Sequence, residues 1–173
     1  DLDFEGNVLS VTDARGNVVM RYAYDMLGRV CREEGMDGGR RWAIESAFGD
    51  PLRGWDDRGH VFSTRYDALR RPVETRVTGG DGAAPLDHVY QRFVYGEGAE
   101  NARARNLRGR VLAAYDTAGK LTAAYDFKGN AVSQERRFAA DYKATPDWSG
   151  PDPDAALEAE RFTSSAAFDA LNR

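Results

Sequence analysis

The feature that most constrains this chain is a five-residue pattern, Asp-x-x-Gly-polar, that returns at nearly fixed intervals. It stands at Asp3, Gly6 and Asn7; at Asp13, Gly16 and Asn17; at Asp25, Gly28 and Arg29; at Asp56, Gly59 and His60; at Asp116, Gly119 and Lys120; and at Asp126, Gly129 and Asn130. Two copies replace the glycine, with Arg70 following Asp67 and Asn172 following Asp169, and two keep it but lose the aspartate, at Ser46 with Gly49 and at Asn106 with Gly109. Steps of 10 residues separate Asp3 from Asp13, Ser46 from Asp56, Asn106 from Asp116 and Asp116 from Asp126, while Asp56 to Asp67 is 11 and Asp13 to Asp25 is 12. An aromatic residue precedes the aspartate at Tyr24, Trp55, Tyr66, Tyr115, Tyr125 and Phe168.

Each copy reads as a chain reversal. An Asp carboxylate accepts a hydrogen bond from the backbone N–H two residues on, and a Gly three positions later adopts the positive φ that closes a hairpin. Between reversals the side chains alternate: Val18, Met20, Tyr22 and Tyr24 share one face of an extended segment with Arg21 on the other, Phe62, Thr64 and Tyr66 repeat the pattern, and so do Leu121, Ala123 and Tyr125. Strands of five or six residues with a turn every ten define an all-β antiparallel meander. In the glycine slot Asn172 tolerates the left-handed region, whereas Arg70 implies strain or a different turn.

Composition narrows the function. With 8 Phe, 8 Tyr and 3 Trp in 173 residues, 42% hydrophobic, the chain has the apolar surface of a globular fold. A net charge of −4 with no Lys/Arg block argues against a nucleic-acid partner. No apolar window is long enough to span a membrane, and DLDFEGNVLS has no signal-peptide pattern. A chain that opens on Asp1 and stops at Arg173 is expected to be a segment of something longer, and the single Cys31 has no partner for an internal disulfide.

Three regions follow: a repeat sheet over 1–130, a less regular insertion over 131–165, and the start of a further repeat over 166–173. Within the insertion, residues 145–154 hold three of the six prolines and are expected to form a long surface loop. Residues 154–161 are expected to form two helical turns with Asp154 as N-cap, and 134–142 fits either a strand or a helix.

The pattern Tyr-Asp-x-x-Gly-Arg/Asn at 10 to 12 residues, running nearly throughout from Asp3 to Asn130 and resuming at Phe168, resembles the YD repeat of the rearrangement hot spot (RHS) proteins. The stretches around Tyr22 to Cys31, Gly39 to Trp42, Trp55 to His60, Tyr66 to Pro72, Arg105 to Gly109 and Asp126 to Asn130 are similar to the RHS shell of insecticidal toxin-complex B/C components and related bacterial RHS proteins. The resemblance implies a segment of a long β-sheet wound spirally into a hollow shell around a toxic domain, secreted or at a cell surface. Its implied partners are the remainder of the same protein, its enclosed toxin, other toxin-complex subunits or a second copy. Related animal teneurins use a similar shell in adhesion. The self-cleaving core motif, the variable toxin domain and the inserted propeller of some members have no counterpart in these residues.

Candidate sites weigh toward structure. Asp13, Gly16, Asp25, Gly28, Asp56, Gly59, Asp67, Asp116, Gly119, Asp126 and Gly129 are read as turn-forming residues. A calcium ladder would need glycine pairs and two liganding positions every nine residues. Asp56 and Asp57, as chain neighbours, point to opposite sides and make a poor acid/base pair. His60 occupies the polar slot after Gly59, His88 stands alone, and Cys31 has no sequence-local base, so neither zinc nor thiol chemistry is expected. No catalytic residue, metal or cofactor is expected. Trp42, Trp55 and Trp148 with the Tyr ladder suit either cross-strand packing or a carbohydrate-binding stripe. Two functions follow: a shell panel that encapsulates a toxin or effector domain without catalysis of its own, or an extracellular adhesive, carbohydrate-binding module.

Overall fold

The computed structural model describes residues 1–173 and contains twelve strands: β1 (Ser10–Thr12), β2 (Val18–Tyr24), β3 (Val30–Gly35), β4 (Gly39–Glu45), β5 (Pro51–Asp56), β6 (His60–Tyr66), β7 (Pro72–Gly79), β8 (Leu86–Tyr95), β9 (Val111–Asp116), β10 (Gly119–Tyr125), β11 (Ala131–Phe138) and β12 (Phe162–Ser165). Their order in the sheet is their order in the sequence, an antiparallel meander as the turn spacing implies. The only helical pieces are 3₁₀ turns at Gly96–Gly98 and Pro153–Ala156.

The register carries the signature of the turns. Pairing slips by one residue at Ala23/Tyr24 before the Asp25 turn, at Ile44/Glu45 before Ser46 and at Ala124/Tyr125 before Asp126. This is the bulge left when a hairpin closes through a left-handed residue. At Asp116 there is no slip: Asp116 pairs directly with Gly119 across a two-residue loop.

The chain divides into two compact units. In the first, Asp1–Thr64 with Val77–Asp87, Val77 is the single buried residue. Its strands lie open on both faces, with half-buried cross-strand pairs instead of a core. Trp42 stacks on Trp55 with ring centroids 6.1 Å apart and planes 8° from parallel, and Arg41 faces Glu33 at 3.6 Å.

The second unit, Arg65–Arg76 with His88–Arg173, has a core built of Val89, Ala113, Tyr115, Trp148 and Leu157. The Pro-rich stretch runs as an irregular, largely exposed loop, but it is pinned to the sheet by Trp148, which is wholly buried. Backbone pairing fixes it there. Trp148 N–H donates to the Val89 carbonyl at 2.9 Å, Asp147 Oδ1 accepts the Val89 N–H at 2.9 Å, and Trp148 Nε1–H donates to the Asp116 carbonyl at 3.0 Å. Arg92 adds bonds to the carbonyls of Trp148 and Gly150.

Two local expectations are corrected. Residues 154–161 form no pair of helical turns: one 3₁₀ turn ends at Ala156, and Leu157 bridges to Ala139. Asp154 does not cap it, because its carboxylate is drawn to Lys120 Nζ at 2.6 Å and to the Tyr115 hydroxyl at 2.8 Å. The ambiguous stretch from 134 is strand as far as Phe138.

A buried indole with a satisfied N–H is the costliest side chain to remove from this unit. Trp148→Ala is expected to destabilise it by about 3–5 kcal/mol through lost contacts and a residual cavity. Trp148→Phe, which loses mainly the bond to Asp116, should cost about 1–2 kcal/mol. Urea unfolding followed by far-UV circular dichroism measures both, and an alanine cost below about 1 kcal/mol would remove the clasped loop from the core.

Candidate functional site

The repeated aspartates form one device several times over. At Asp3, Asp13, Asp25, Asp56, Asp67 and Asp169, Oδ1 accepts two backbone N–H groups, at the second and fourth residues on, and Oδ2 accepts the side chain of the fourth. Asp13 Oδ1 takes Arg15 at 2.8 Å and Asn17 at 2.9 Å while Oδ2 takes Asn17 Nδ2 at 3.0 Å. Asp25 takes Leu27 at 2.8 Å and Arg29 at 3.0 Å, with Arg29 Nε on Oδ2 at 2.8 Å. Asp56 takes Arg58 at 3.1 Å and His60 at 2.9 Å, with His60 Nδ1 at 2.9 Å from Oδ2. Asp67 takes Leu69 and Arg71, both at 2.9 Å, with Arg71 Nε at 2.7 Å. Asp126 takes Asn130 at 2.9 Å and its Nδ2 at 2.8 Å, and its other bond goes to Gly129 at 2.7 Å. Asp3 and Asp169 repeat the geometry.

The closing residues are left-handed: Gly16, Gly28, Gly59, Gly119 and Gly129 have φ of 87°, 74°, 81°, 138° and 100°. Arg70, at φ 61°, makes the same turn as the glycines, so no different turn is formed there. Ser46 substitutes a hydroxyl: its Oγ accepts the N–H groups of Phe48 and Asp50, and Asp50 supplies the carboxylate from the fourth position. Asn106 does not build the device, since its amide donates to the Tyr125 carbonyl and the hairpin closes between Gly96 and Arg110.

Asp116 departs in another way. Its Oδ1 accepts from Ala118 and Gly119 in the tight loop, and Arg136 grips the carboxylate at 2.6 and 2.9 Å. Lys120, in the slot that elsewhere returns to the aspartate, is committed to Asp154.

The carboxylates are held as ions. Donation from the Arg29 side chain depresses the pKa of Asp25, from the Asn17 side chain that of Asp13, and from the Arg71 backbone N–H that of Asp67. At Asp116 partial burial pushes upward, but Arg136 and the turn N–H groups together outweigh it. Glu97 is pushed down to about 2, chiefly by Arg71. Arg71 bonds Glu97 at 2.6 Å and stacks over Tyr95 at 3.9 Å.

A second set of contacts ties several of the turns to a neighbour. The Tyr24 hydroxyl donates to the Val8 carbonyl, Tyr95 to Pro72 and Tyr125 to Val111, in each case where the preceding strand leaves its own turn. Arg29 reaches the Ser46 carbonyl at 2.7 Å, and Lys128 reaches that of Ala170 at 2.6 Å. The local signal was present in part: an aromatic residue precedes six of the eight aspartates, and the fourth residue after each is a donor.

The remaining candidates are dispersed. Asp57 turns from Asp56 to accept the Arg40 N–H at 3.0 Å. Cys31 Sγ lies 3.4 Å from the Ala23 carbonyl, His88 lies near Asp147, and no group of three His, Cys, Asp or Glu side chains is placed to hold a metal ion. Trp148 is withdrawn from any aromatic stripe by its burial.

No protein-family model matches the chain, and no curated protein matches it. Solved structures do. The crystal structures of TcdB2-TccC3-TEV and TcdB2-TccC3-Cdc42 superpose on 100% and 99% of the chain, each with a TM-score of 0.86 at 20% identity. The fold is similar to a stretch of TcdB2-TccC3. A Photorhabdus luminescens Tc holotoxin pore carrying a TccC3 point mutation gives the same TM-score, 0.86, over 100% of the chain at 20% identity. The chain spans 9% of the length of each of these neighbours. The resemblance to toxin-complex components drawn from the turn motifs therefore holds at the level of fold.

Left-handed closure makes the glycines the sharpest test of the device. Gly28 has open space around its absent Cβ, so Gly28→Ala pays for handedness alone, about 1–2 kcal/mol. At Gly119 an added Cβ would also collide with the Arg137 carbonyl across the ladder, and Gly119→Ala should cost more than Gly28→Ala. Chemical unfolding of the two variants ranks them, and equal, negligible losses would contradict the turn geometry.

Proposed function

We propose that this chain is a panel of a spiral RHS-type β-sheet shell, part of a secreted or cell-surface protein, whose role is to hold an enclosed toxin or effector domain apart from its surroundings. The observation that carries the reading is the full-length match of a twelve-stranded meander to a stretch of TcdB2-TccC3. Physical support comes from the first unit, where an open sheet without a core is what a wall needs: its strength lies in turns and cross-strand pairs, and it leaves both faces for other material. In this reading the segment does no chemistry, its carboxylates being spent on their own turns, and its partners are the rest of the same protein, the enclosed domain and further toxin-complex subunits. No helix is long and apolar enough to cross a membrane.

The adhesive alternative loses Trp148 to burial and keeps Trp42 and Trp55 only as half-buried rings stacked on each other. The shell reading is the better supported.

Electron microscopy and limited proteolysis of the longer protein that carries this segment test it. The expected result is a hollow particle in which a domain outside the repeat region resists protease until the shell is unfolded. A solid or extended particle with every domain equally cleavable would contradict the proposal.

A further inference from the structure

Directly opposed residues of an antiparallel pair share a face, so the register sorts the charges of the first unit. Arg21 pairs with Glu34 and Glu34 with Arg40, while Arg32 pairs with Trp42, Trp42 with Trp55, and Ile44 with Arg53. Each of β2, β3, β4 and β5 therefore sends one arginine to the same face. In the sequence these four stand 8 to 13 residues apart and form no basic block. The opposite face is balanced, with Arg41 placed between Glu33 and Asp56.

The four arginines are poorly neutralised. Glu34 lies 3.7 Å from Arg21 and 3.8 Å from Arg32, too far to hydrogen-bond either. Arg40 has Asp57 at 3.6 Å and lies over the Trp42 ring. Arg53 stands exposed between Ile44 and Ser63, neither of which carries charge, and Arg32 Nε is shut off from solvent without a hydrogen-bond partner. Apolar surface lies in their midst. Trp55, stacked on Trp42, walls a cleft of about 350 Å³ with Ile44, Arg53 and Val61, and the Asp56 carboxylate at its rim is committed to its own turn.

We infer that this face docks an acidic protein surface, with carboxylates set against Arg21, Arg32, Arg40 and Arg53 around an apolar side chain that enters the cleft beside Trp55. Tryptophan and arginine are the residues that most often carry protein interfaces, and a planar guanidinium meets a carboxylate through paired bonds. Over the five strands β2 to β6 the face measures about 20 Å each way, the size of a small, transient interface. Ionised turns at Asp25 and Asp56 flank it on a chain of net charge −4. A long polyanion such as a nucleic acid or glycan is repelled beyond the patch, whereas a compact acidic surface fits within it. Nothing in this pattern requires the sheet to belong to a shell.

A fluorescently labelled short peptide of glutamates flanking one phenylalanine is the probe, titrated against this chain at low salt and followed by anisotropy. It should bind saturably, and Arg40→Gln/Arg53→Gln should weaken it about fivefold or more. Arg41→Gln, on the opposite face, should change it less than about twofold. Replacing the peptide's glutamates by glutamine should abolish binding, and replacing its phenylalanine by glycine should weaken it several-fold. Circular dichroism of the variants should match the parent, because Arg40, Arg41 and Arg53 are all exposed. Absence of saturable binding, an equal loss in Arg41→Gln, or retained binding of the glutamine peptide would each overturn the inference. So would tighter binding, dependent on the same arginines, to heparin or to phosphatidylcholine–phosphatidylglycerol vesicles. The hollow-particle experiment involves none of these side chains, so failure of the docking face and failure of the shell reading are separate results.

Discussion

An ionised aspartate folded back on its own turn is the interaction on which the rest of this structure depends. One carboxylate satisfies two backbone donors and one side-chain donor within five residues, so the reversal is specified without any help from distant chain. Each reversal then fixes the register of two strands, since the left-handed closing residue determines where pairing resumes. Repeated down the chain, a local rule produces a sheet of indefinite length.

Such a sheet needs little core, and the two units show two ways of living with that. The first relies on turns, half-buried rings and charge ladders such as Arg41 with Glu33. Tyr24 and Arg29 lace its turns sideways through backbone carbonyls. The second adds a clasp: a proline-rich loop lays Trp148 across β8 and β9, and the Asp116 turn changes to suit it. There Lys120 leaves its aspartate for Asp154 on the incoming loop, and Arg136 takes the vacated carboxylate. One meander is thus stiffened at one place and left open at another under the same turn rule.

The fold class was legible because its determinants are short-range. The alternation of Val18, Met20, Tyr22 and Tyr24, and the spacing of aspartate to glycine, lie inside windows of a few residues. The lacing was not legible, because Tyr24 and Tyr125 bond carbonyls 16 and 14 residues away that no side chain marks. Where Trp148 would be buried was not legible for a related reason. Its neighbours in sequence are Pro, Asp, Ser and Gly, which signal exposed loop, while its partners Val89 and Asp116 lie far back in the chain. Asn106 failed in the opposite sense, since its spacing matched but its amide was captured by Tyr125. The residue after the glycine shows how near the sequence came: His60 fills a polar slot, and only the geometry gives that slot the task of binding the second carboxylate oxygen.

The central claim, that charged turn carboxylates hold the register, is tested most directly by the unfolding free energy of this chain as a function of pH. The turn aspartates titrate below their ordinary 3.8 when folded. A depressed folded-state pKa means that the unfolded chain takes up protons first, so the stabilisation is complete above the ordinary value and is lost as pH falls through the folded one. Stability should therefore be level with respect to these groups from neutrality down to about pH 5 and then decline steadily toward pH 2. Asp→Asn at a single turn such as Asp25 should flatten part of that decline. A profile unchanged down to pH 2, or one that the Asp25→Asn variant leaves untouched, would contradict the account.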